Sequence, residues 1–320
     1  MRVALMVEGQ EDVTWPQWVD LAMACEEHGL EGLFRSDHYL SFDNPEKRGS
    51  LDAWATISAL ASRTTRLRLG TLVSPVTFRH PAELAKVVVT ADHASSGRVE
   101  LGMGAGWFEP EHVAFGFPFP SSGDRFERLE EQVEIVHRLW DRDEDAVTFH
   151  GRHYRLEACR SLPRPLQDPH PPLILGGSAG VRATRLAARY ADEYNMNFVD
   201  PSECARARDR LLSAVEHEGR DPAEFRMSLM TGFVMGADES DLEQRARQLM
   251  ERRSESGDPA AFLDGLASPW IKGTPERVLA RLSEYRAAGI DRVMLQHNVH
   301  EDLETVALIG GEVVSEAADL

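Results

Sequence analysis

Short apolar runs of strand length alternate with longer amphipathic runs of helical length along the chain, and the pair recurs eight times. The apolar runs lie at 3–7, 32–36, 66–73, 98–103, 173–175, 193–198, 225–235 and 290–296. The amphipathic runs that follow them lie at 15–28, 52–62, 81–94, 124–140, 181–190, 201–218, 239–252 and 301–316. Such strand-then-helix units build a parallel sheet with right-handed crossovers, and eight of them close a barrel.

Two α/β architectures fit this alternation. A doubly wound open sheet would carry a G-x-G-x-x-G turn after its first strand, where this chain has Glu8-Gly9-Gln10-Glu11. We therefore predict an α/β fold of the (β/α)8 TIM-barrel type, forming one domain over residues 1–320 with insertions at about 105–170 and 253–275. Neither insertion shows enough apolar periodicity to bury a core of its own.

The charge and composition of the chain limit the kinds of partner that it can bind. The formal net charge is −18, from 53 acidic and 35 basic residues, which opposes nonspecific binding to nucleic acid or to an anionic membrane. No apolar run approaches the roughly 20 residues of a membrane span, and the first residues lack the features of a secretion signal. Cys25, Cys159 and Cys204 are odd in number and far apart, which fits reduced thiols. We expect a cytoplasmic protein with no nucleic-acid or membrane partner.

In a barrel of this kind the active site is built at the C-terminal ends of the strands. The residues just after the predicted strands are rich in glycine, amide, hydroxyl and imidazole groups, and Glu8 and Asp37 are the only obvious acids among them. This pattern argues against a two-carboxylate glycosidase. We predict no metal site, since the nearest spacing, His150-x-x-His153, lies on a predicted hairpin.

Two strand ends carry more specific signals. Gly176, Gly177 and Ser178 lie between a predicted strand and a predicted helix, where backbone N–H groups and the helix N-terminus can hold a phosphate. A tight turn without a ligand is about as good an explanation for glycine there. Asp37 and His38 follow the second strand, and a carboxylate beside an imidazole could bind a ring edge and move a proton. The alternative is an ordinary surface loop.

Several longer motifs stand in a familiar order. They are SDH at 36–38, LGT at 69–71, TFRHP at 77–81, GRVELGMGAGW at 97–107, LGGS at 175–178 and ADEYN at 191–195. Together they resemble the bacterial luciferase-like flavin and deazaflavin oxidoreductases almost from end to end. Within that superfamily the chain is most similar to the branch that depends on the deazaflavin coenzyme F420.

The resemblance implies where the cofactor would lie. In the deazaflavin members the third strand ends in a non-proline cis peptide that bulges against the ring, and the matching bond here is Leu72–Val73. Thr71 and Gly104 would line the same part of the site, and the glycine loop at 176–178 would hold the phosphate. The alternative at 72–73 is a trans strand end followed by a proline-rich turn.

The resemblance also implies catalytic and substrate-binding residues. Asp37 and His38 would face the head of the deazaflavin, with His38 as the proton donor or a substrate contact. We expect substrate contacts from Tyr39, Trp107, Gln296 and His297. The sugar-phosphate dehydrogenases of the superfamily carry a catalytic Glu where this chain has Trp107, so we expect a less polar substrate. Glu109 is a weaker candidate for the missing acid.

Three functions remain open on this basis. The first is hydride transfer between F420 and a small organic substrate. The second is an FMN-dependent monooxygenase that uses reduced flavin and oxygen, since the same barrel hosts both. The third is a cofactor-binding barrel without catalysis. Family analogy further suggests a homodimer. Four arginines between 152 and 164 are interpreted as a solvated hairpin and loop, with a positively charged lip for an anionic cofactor tail as the alternative.

Overall fold

The computed structural model describes all 320 residues, and its eight main strands close into a parallel barrel. These strands are Arg2–Val7, Gly32–Arg35, Arg68–Thr71, Val99–Gly104, Leu173–Gly176, Glu193–Asn197, Arg226–Met235 and Arg292–Gln296. The first and eighth strands close the ring, with Arg2 opposite Arg292 and Met6 opposite Gln296. The predicted (β/α)8 barrel is confirmed.

Eight helices follow the strands as predicted. They are Trp15–Glu27, Ala53–Ala61, Pro81–Ser95, Ser122–Trp140, Val181–Tyr190, Pro201–His217, Glu239–Arg252 and Leu303–Ile309. The last predicted helix is divided, because a π-helical turn at Gly310–Val314 separates Leu303–Ile309 from Ser315–Ala318. A Cβ at Gly310 would lie 2.3 Å from the carbonyl oxygen of His28, so glycine allows this turn to pack on the end of the first helix.

The insertions contain elements that the periodicity did not predict. The first holds a short helix, Glu109–Phe115, besides the predicted hairpin of Val147–His150 and Arg155–Cys159. The second holds Pro259–Gly265 and the strand Ile271–Gly273, which extends the sheet beside the seventh strand. The helix Pro275–Ala287 was also missed, although its buried residues follow helical spacing. None of the helices is both long enough and apolar enough to cross a bilayer.

Side chains alternate between the two faces of each strand, and this alternation creates two cores. Val3, Leu5 and Val7 belong to the large cluster between strands and helices, whereas Ala4 and Met6 point into the barrel. The small interior cluster is completed by Phe34, Leu72, Ile174, Met230 and Met294. Val73 of the predicted site packs against this cluster.

The barrel interior also contains a buried ion cluster. The guanidinium of Arg292 lies 2.7 Å from carboxylate oxygens of both Glu100 and Glu193, and all three side chains are almost completely buried. Burial alone would raise the pKa of Glu100, but the neighbouring guanidiniums of Arg292 and Arg68 outweigh it and hold that pKa at about 2. Because the opposite charges are in contact, their attraction offsets the cost of burying them, and the cluster joins strands four, six and eight.

Candidate active site

Most of the predicted site residues meet at one end of the barrel, because all eight strands run in the same direction. The second strand delivers Asp37 and His38, the third delivers Leu72 and Val73, and the fifth delivers Gly176. The helix Glu109–Phe115 covers part of this end and adds a side chain that sequence reasoning did not select.

That side chain is Glu111, which orients the imidazole of His38. Oε1 of Glu111 lies 2.7 Å from Nδ1 of His38, and Oε2 accepts a hydrogen bond of 3.0 Å from the backbone N–H of Tyr39. Glu111 is 1% exposed, whereas the side chain of His38 keeps 13% of its surface exposed. Nε2 of His38 has no hydrogen-bond partner in the protein. A carboxylate that fixes one ring nitrogen leaves the other positioned to give or take a proton.

Aromatic rings surround this imidazole on its exposed side. Phe42 meets the His38 ring edge-on at 4.8 Å between centroids, and Trp107 does so at 5.9 Å. Phe108 packs against both Phe42 and Trp107. Trp107 is 64% exposed, so its indole stands at the open end of the barrel. The arrangement places an apolar wall beside the candidate proton carrier, where it can exclude water.

Asp37 and His38 do not act as a pair in the structure. Consecutive residues of an extended backbone point to opposite sides. The carboxylate of Asp37 is directed at Arg79, with oxygen–nitrogen distances of 2.6 and 3.3 Å, and it accepts a 2.7 Å hydrogen bond from Ser74. Burial lowers the pKa of Arg79, but the charge of Asp37 outweighs it and the net pKa is raised. Asp37 therefore anchors the backbone after the third strand, and the structure gives it no exposed surface for proton transfer.

The third strand ends as the resemblance implied, because the peptide bond between Leu72 and Val73 is cis. The Val73 side chain packs against the fourth strand at Gly102 and Gly104. A Cβ at Gly104 would lie 2.6 Å from Cγ2 of Val73, and one at Gly102 would lie 2.2 Å from the carbonyl oxygen of Thr71. The hydroxyl of Thr71 donates to the carbonyl oxygen of Gly102 at 3.1 Å. Glycine in the fourth strand is therefore required to accommodate Val73.

The glycine loop after the fifth strand is open to solvent. Gly176, Gly177 and Ser178 are all exposed, and Gly177 has a φ of 133°, which a residue with a side chain rarely adopts. The backbone N–H of Ala179 donates to the hydroxyl of Tyr194 at 2.9 Å, which fixes the far side of the loop. The helix Val181–Tyr190 begins immediately afterwards. The backbone N–H of Gly177 is also occupied, since it donates to the carbonyl oxygen of Asn195 at 3.1 Å. The N–H groups in the first turn of the helix have no intrahelical acceptor, and such groups suit a phosphate.

The four residues predicted to contact substrate occupy different surroundings. Gln296 donates to Glu8 at 2.7 Å, and both line an open cavity of about 580 Å³ that includes Phe42 and is otherwise polar. Trp107 lies at the open end of the barrel, as described above. Tyr39 turns away, since its hydroxyl donates to Asp52 at 2.8 Å.

The side chain of His297 is also directed away from the open end of the barrel. It is 4% exposed, and its Nε2–H donates to the carbonyl oxygen of Asp302 at 3.1 Å. Burial lowers the pKa of His297 to about 4, so the ring is neutral. Of the four predicted contacts, Trp107 and Gln296 lie at the open end, whereas Tyr39 and His297 belong to the supporting structure. The expectation of an apolar site fits the aromatic wall, but the neighbouring cavity is polar.

One cluster of side chains away from the open end of the barrel has the residue types of a metal site. Single ligand atoms of Asp124, Glu127 and His153 lie within 4.8 Å of one another. The guanidinium of Arg152 pairs with both of these carboxylates, at 3.2 Å from Asp124 and closer still to Glu127. Because Arg152 already compensates their charge, the cluster is explained as an ion pair on the hairpin.

Known proteins resemble this chain in sequence and in fold. The family model described as luciferase-like monooxygenase matches residues 2–292. The F420-dependent glucose-6-phosphate dehydrogenase of Nakamurella multipartita is 32% identical over 319 residues, covering 92% of this chain and 90% of that protein. The FMNH2-dependent dimethylsulfone monooxygenase of Pseudomonas putida is 28% identical over 272 residues, covering 75% and 72%. A solved F420-dependent secondary alcohol dehydrogenase, bound to an F420–acetone adduct, has the same fold, with a TM-score of 0.79 over 98% of each chain at 19% identity.

Proposed function

The chain belongs to the luciferase-like monooxygenase family, and on that premise we propose that it is an oxidoreductase transferring a hydride between coenzyme F420 and a small organic substrate. The observation that carries the proposal is the imidazole of His38, which Glu111 holds with Nε2 free at the same barrel end as the Val73 bulge. The names of the relatives support F420 over other cofactors.

The residues at this end fit a flat, phosphorylated cofactor. The exposed loop at Gly176–Ser178 would hold the phosphate, and Val73 would lie against the ring. The apolar interior cluster beneath, which includes Met6 and Ile174, is buried and supports Val73 from below. When bound, a deazaflavin supplies a ring carbon that gives or accepts a hydride and reacts poorly with oxygen.

The protein's own part in the reaction is positioning and proton transfer. His38 would exchange a proton with the substrate at Nε2, while Glu111 stabilises the imidazolium through Nδ1. Phe42 and Trp107 would exclude water from that proton. Asp37 would contribute only through Ser74 and Arg79, by fixing the backbone next to Val73.

The surroundings of His38 also restrict the substrate. The apolar portion of the substrate would pack against Trp107 and Phe42. The polar portion of the substrate would enter the cavity lined by Gln296 and Asn298. A secondary alcohol or a carbonyl compound fits this division, because the hydroxyl or carbonyl oxygen needs the proton that His38 handles. Trp107 replaces the acid expected of the sugar-phosphate dehydrogenases, which argues against a sugar phosphate.

An FMN-dependent monooxygenase is the second candidate, supported by the similarity to the Pseudomonas putida enzyme. The test is to titrate the apoprotein with oxidised F420 and, separately, with FMN, following ligand fluorescence. Selective binding of F420 is the expected result. Selective binding of FMN, together with oxygen consumption when reduced FMN and a substrate are supplied, would overturn the proposal. Binding of neither would favour a barrel without catalysis.

A further inference from the structure

A groove on the outside of the barrel begins at the candidate phosphate loop. It is a cavity of about 490 Å³ between the helices Val181–Tyr190 and Pro201–His217. Its upper end is formed by Ser178, Ala179 and Gly180, so it is continuous with the loop that would hold the phosphate. The rest is lined by Val181, Thr184, Arg185, Arg210, Ala214, His217 and Glu218. An anion at the loop could therefore extend into the groove without leaving the protein surface.

The charges along this groove are unusual for so acidic a chain. Arg185 and Arg210 both line it, and neither guanidinium forms an ion pair or a hydrogen bond within the protein. The only acid in the lining, Glu218, lies at the end of the second helix, 3.9 Å from the guanidinium of Arg189. The groove is thus locally positive, although the protein has a net charge of −18.

Unpaired arginines also occur elsewhere on the surface, for example Arg160 and Arg206, but Arg185 and Arg210 line a groove that begins at the loop. Arg182, on the same helix as Arg185, pairs with Glu130 at 2.6 Å. Arg152 and Arg155, on the hairpin considered above as a positively charged lip, pair with neighbouring carboxylates. Because those two cations are already compensated, they have less to offer an anionic ligand than Arg185 and Arg210 have.

We propose that the groove binds the anionic tail of F420, so that Arg185 and Arg210 contact its carboxylates. This inference rests on the proposed function. The phosphate of F420 is a diester that continues into a lactyl-oligoglutamate chain, whereas the phosphate of FMN ends the molecule. A groove that starts at the phosphate and carries unpaired cations beyond it matches the longer ligand. The apolar surfaces of Val181 and Ala214 suit the methylene groups between successive carboxylates.

The experiment compares two ligands with the same ring and phosphate. The apoprotein is titrated by fluorescence with F420 and with its tail-less core, the deazaflavin ribityl 5′-phosphate. We expect the wild-type protein to bind F420 about fivefold to tenfold more tightly, and the difference to shrink as salt is added. In Arg185→Gln/Arg210→Gln this preference should disappear, while the affinity for the tail-less core stays unchanged. Arg63→Gln, which alters an exposed arginine on another part of the barrel, is the charge control and should keep the preference.

The outcomes separate this inference from the proposed function. Equal binding of both ligands by the wild-type protein, or an undiminished preference in the double variant, would overturn the tail groove and leave the F420 assignment standing. An equal loss for both ligands in the double variant would also overturn it, because the arginines would then act on the phosphate or on folding. Failure of the wild-type protein to bind either ligand would overturn the proposed function itself.

Discussion

Replacing Asp37 by Asn tests whether this residue is an anchor or a proton carrier. The side chain of Asp37 is 1% exposed and that of Arg79 is 9% exposed, so the substitution leaves a buried guanidinium without its main partner. Breaking such a pair costs about 3–5 kcal/mol. Arg79 keeps Asp52 at 2.8 Å, a contact with a partly exposed carboxylate. We therefore expect the free energy of unfolding to fall by about 2–3 kcal/mol, measured by urea denaturation of the apoprotein.

A double-mutant cycle with Arg79→Met isolates the pair, and we expect a coupling energy of about 2 kcal/mol. Turnover of Asp37→Asn at saturating cofactor should remain within about tenfold of wild type, because Asp37 only positions the backbone beside Val73. Loss of a general acid or base typically lowers the rate by about 10²–10⁴-fold. Unchanged stability combined with a loss of that size would refute the anchoring role and make Asp37 a direct participant.

Three further predictions follow from individual contacts. Glu111→Gln should slow substrate-dependent turnover about tenfold to a hundredfold and leave the cofactor Kd within twofold, because His38 loses the carboxylate that orients it; a changed Kd with unchanged turnover would contradict this. Gly104→Ala should lower the free energy of unfolding by about 1–3 kcal/mol through overlap with Val73, and adding Val73→Ala should recover part of the loss in thermal or urea unfolding. Because burial lowers the pKa of His297 to about 4, the unfolded chain takes up a proton between about pH 6.5 and 4 that the folded protein does not. Stability should therefore fall as the pH falls through that window, and His297→Gln should remove about 3 kcal/mol of the decrease, as judged from urea unfolding at each pH.

The fold could be predicted from the sequence because it depends on the spacing of apolar residues and on the number of strand–helix units. Each barrel strand carries an apolar run, and each is followed by an amphipathic helix, so closure with eight units follows without tertiary information. The detail of the third strand could not be obtained in this way. Its apolar pattern continues to Val73, but the strand ends at Thr71, and the peptide bond between Leu72 and Val73 is cis. Only the resemblance to known barrels pointed to that bond.

The contacts of the candidate site residues could not be predicted from the sequence. Sequence adjacency suggested that Asp37 and His38 cooperate, yet the extended backbone sends their side chains to different partners. The true partner of His38 is Glu111, 73 residues further along the chain. The only indication of Glu111 in the sequence was that an acidic residue lies near Trp107 in the first insertion. Glu109 fits that criterion equally well. Glu109 is exposed and Glu111 buried, a distinction that depends on how the short helix docks.

The distribution of compensated charge explains how an acidic chain could bind the anionic cofactor that we propose for it. Inside the barrel, Arg292 is fully paired with Glu100 and Glu193, so these charges support the fold and offer nothing to a ligand. Near the phosphate loop the balance is reversed, since Arg185 and Arg210 lack acidic partners. A small ligand responds to the field within a few ångströms, because salt screens charges beyond about 8–10 Å. The net charge of −18 therefore argues against an extended polyanion such as nucleic acid, but it does not argue against a single phosphate with a short acidic tail.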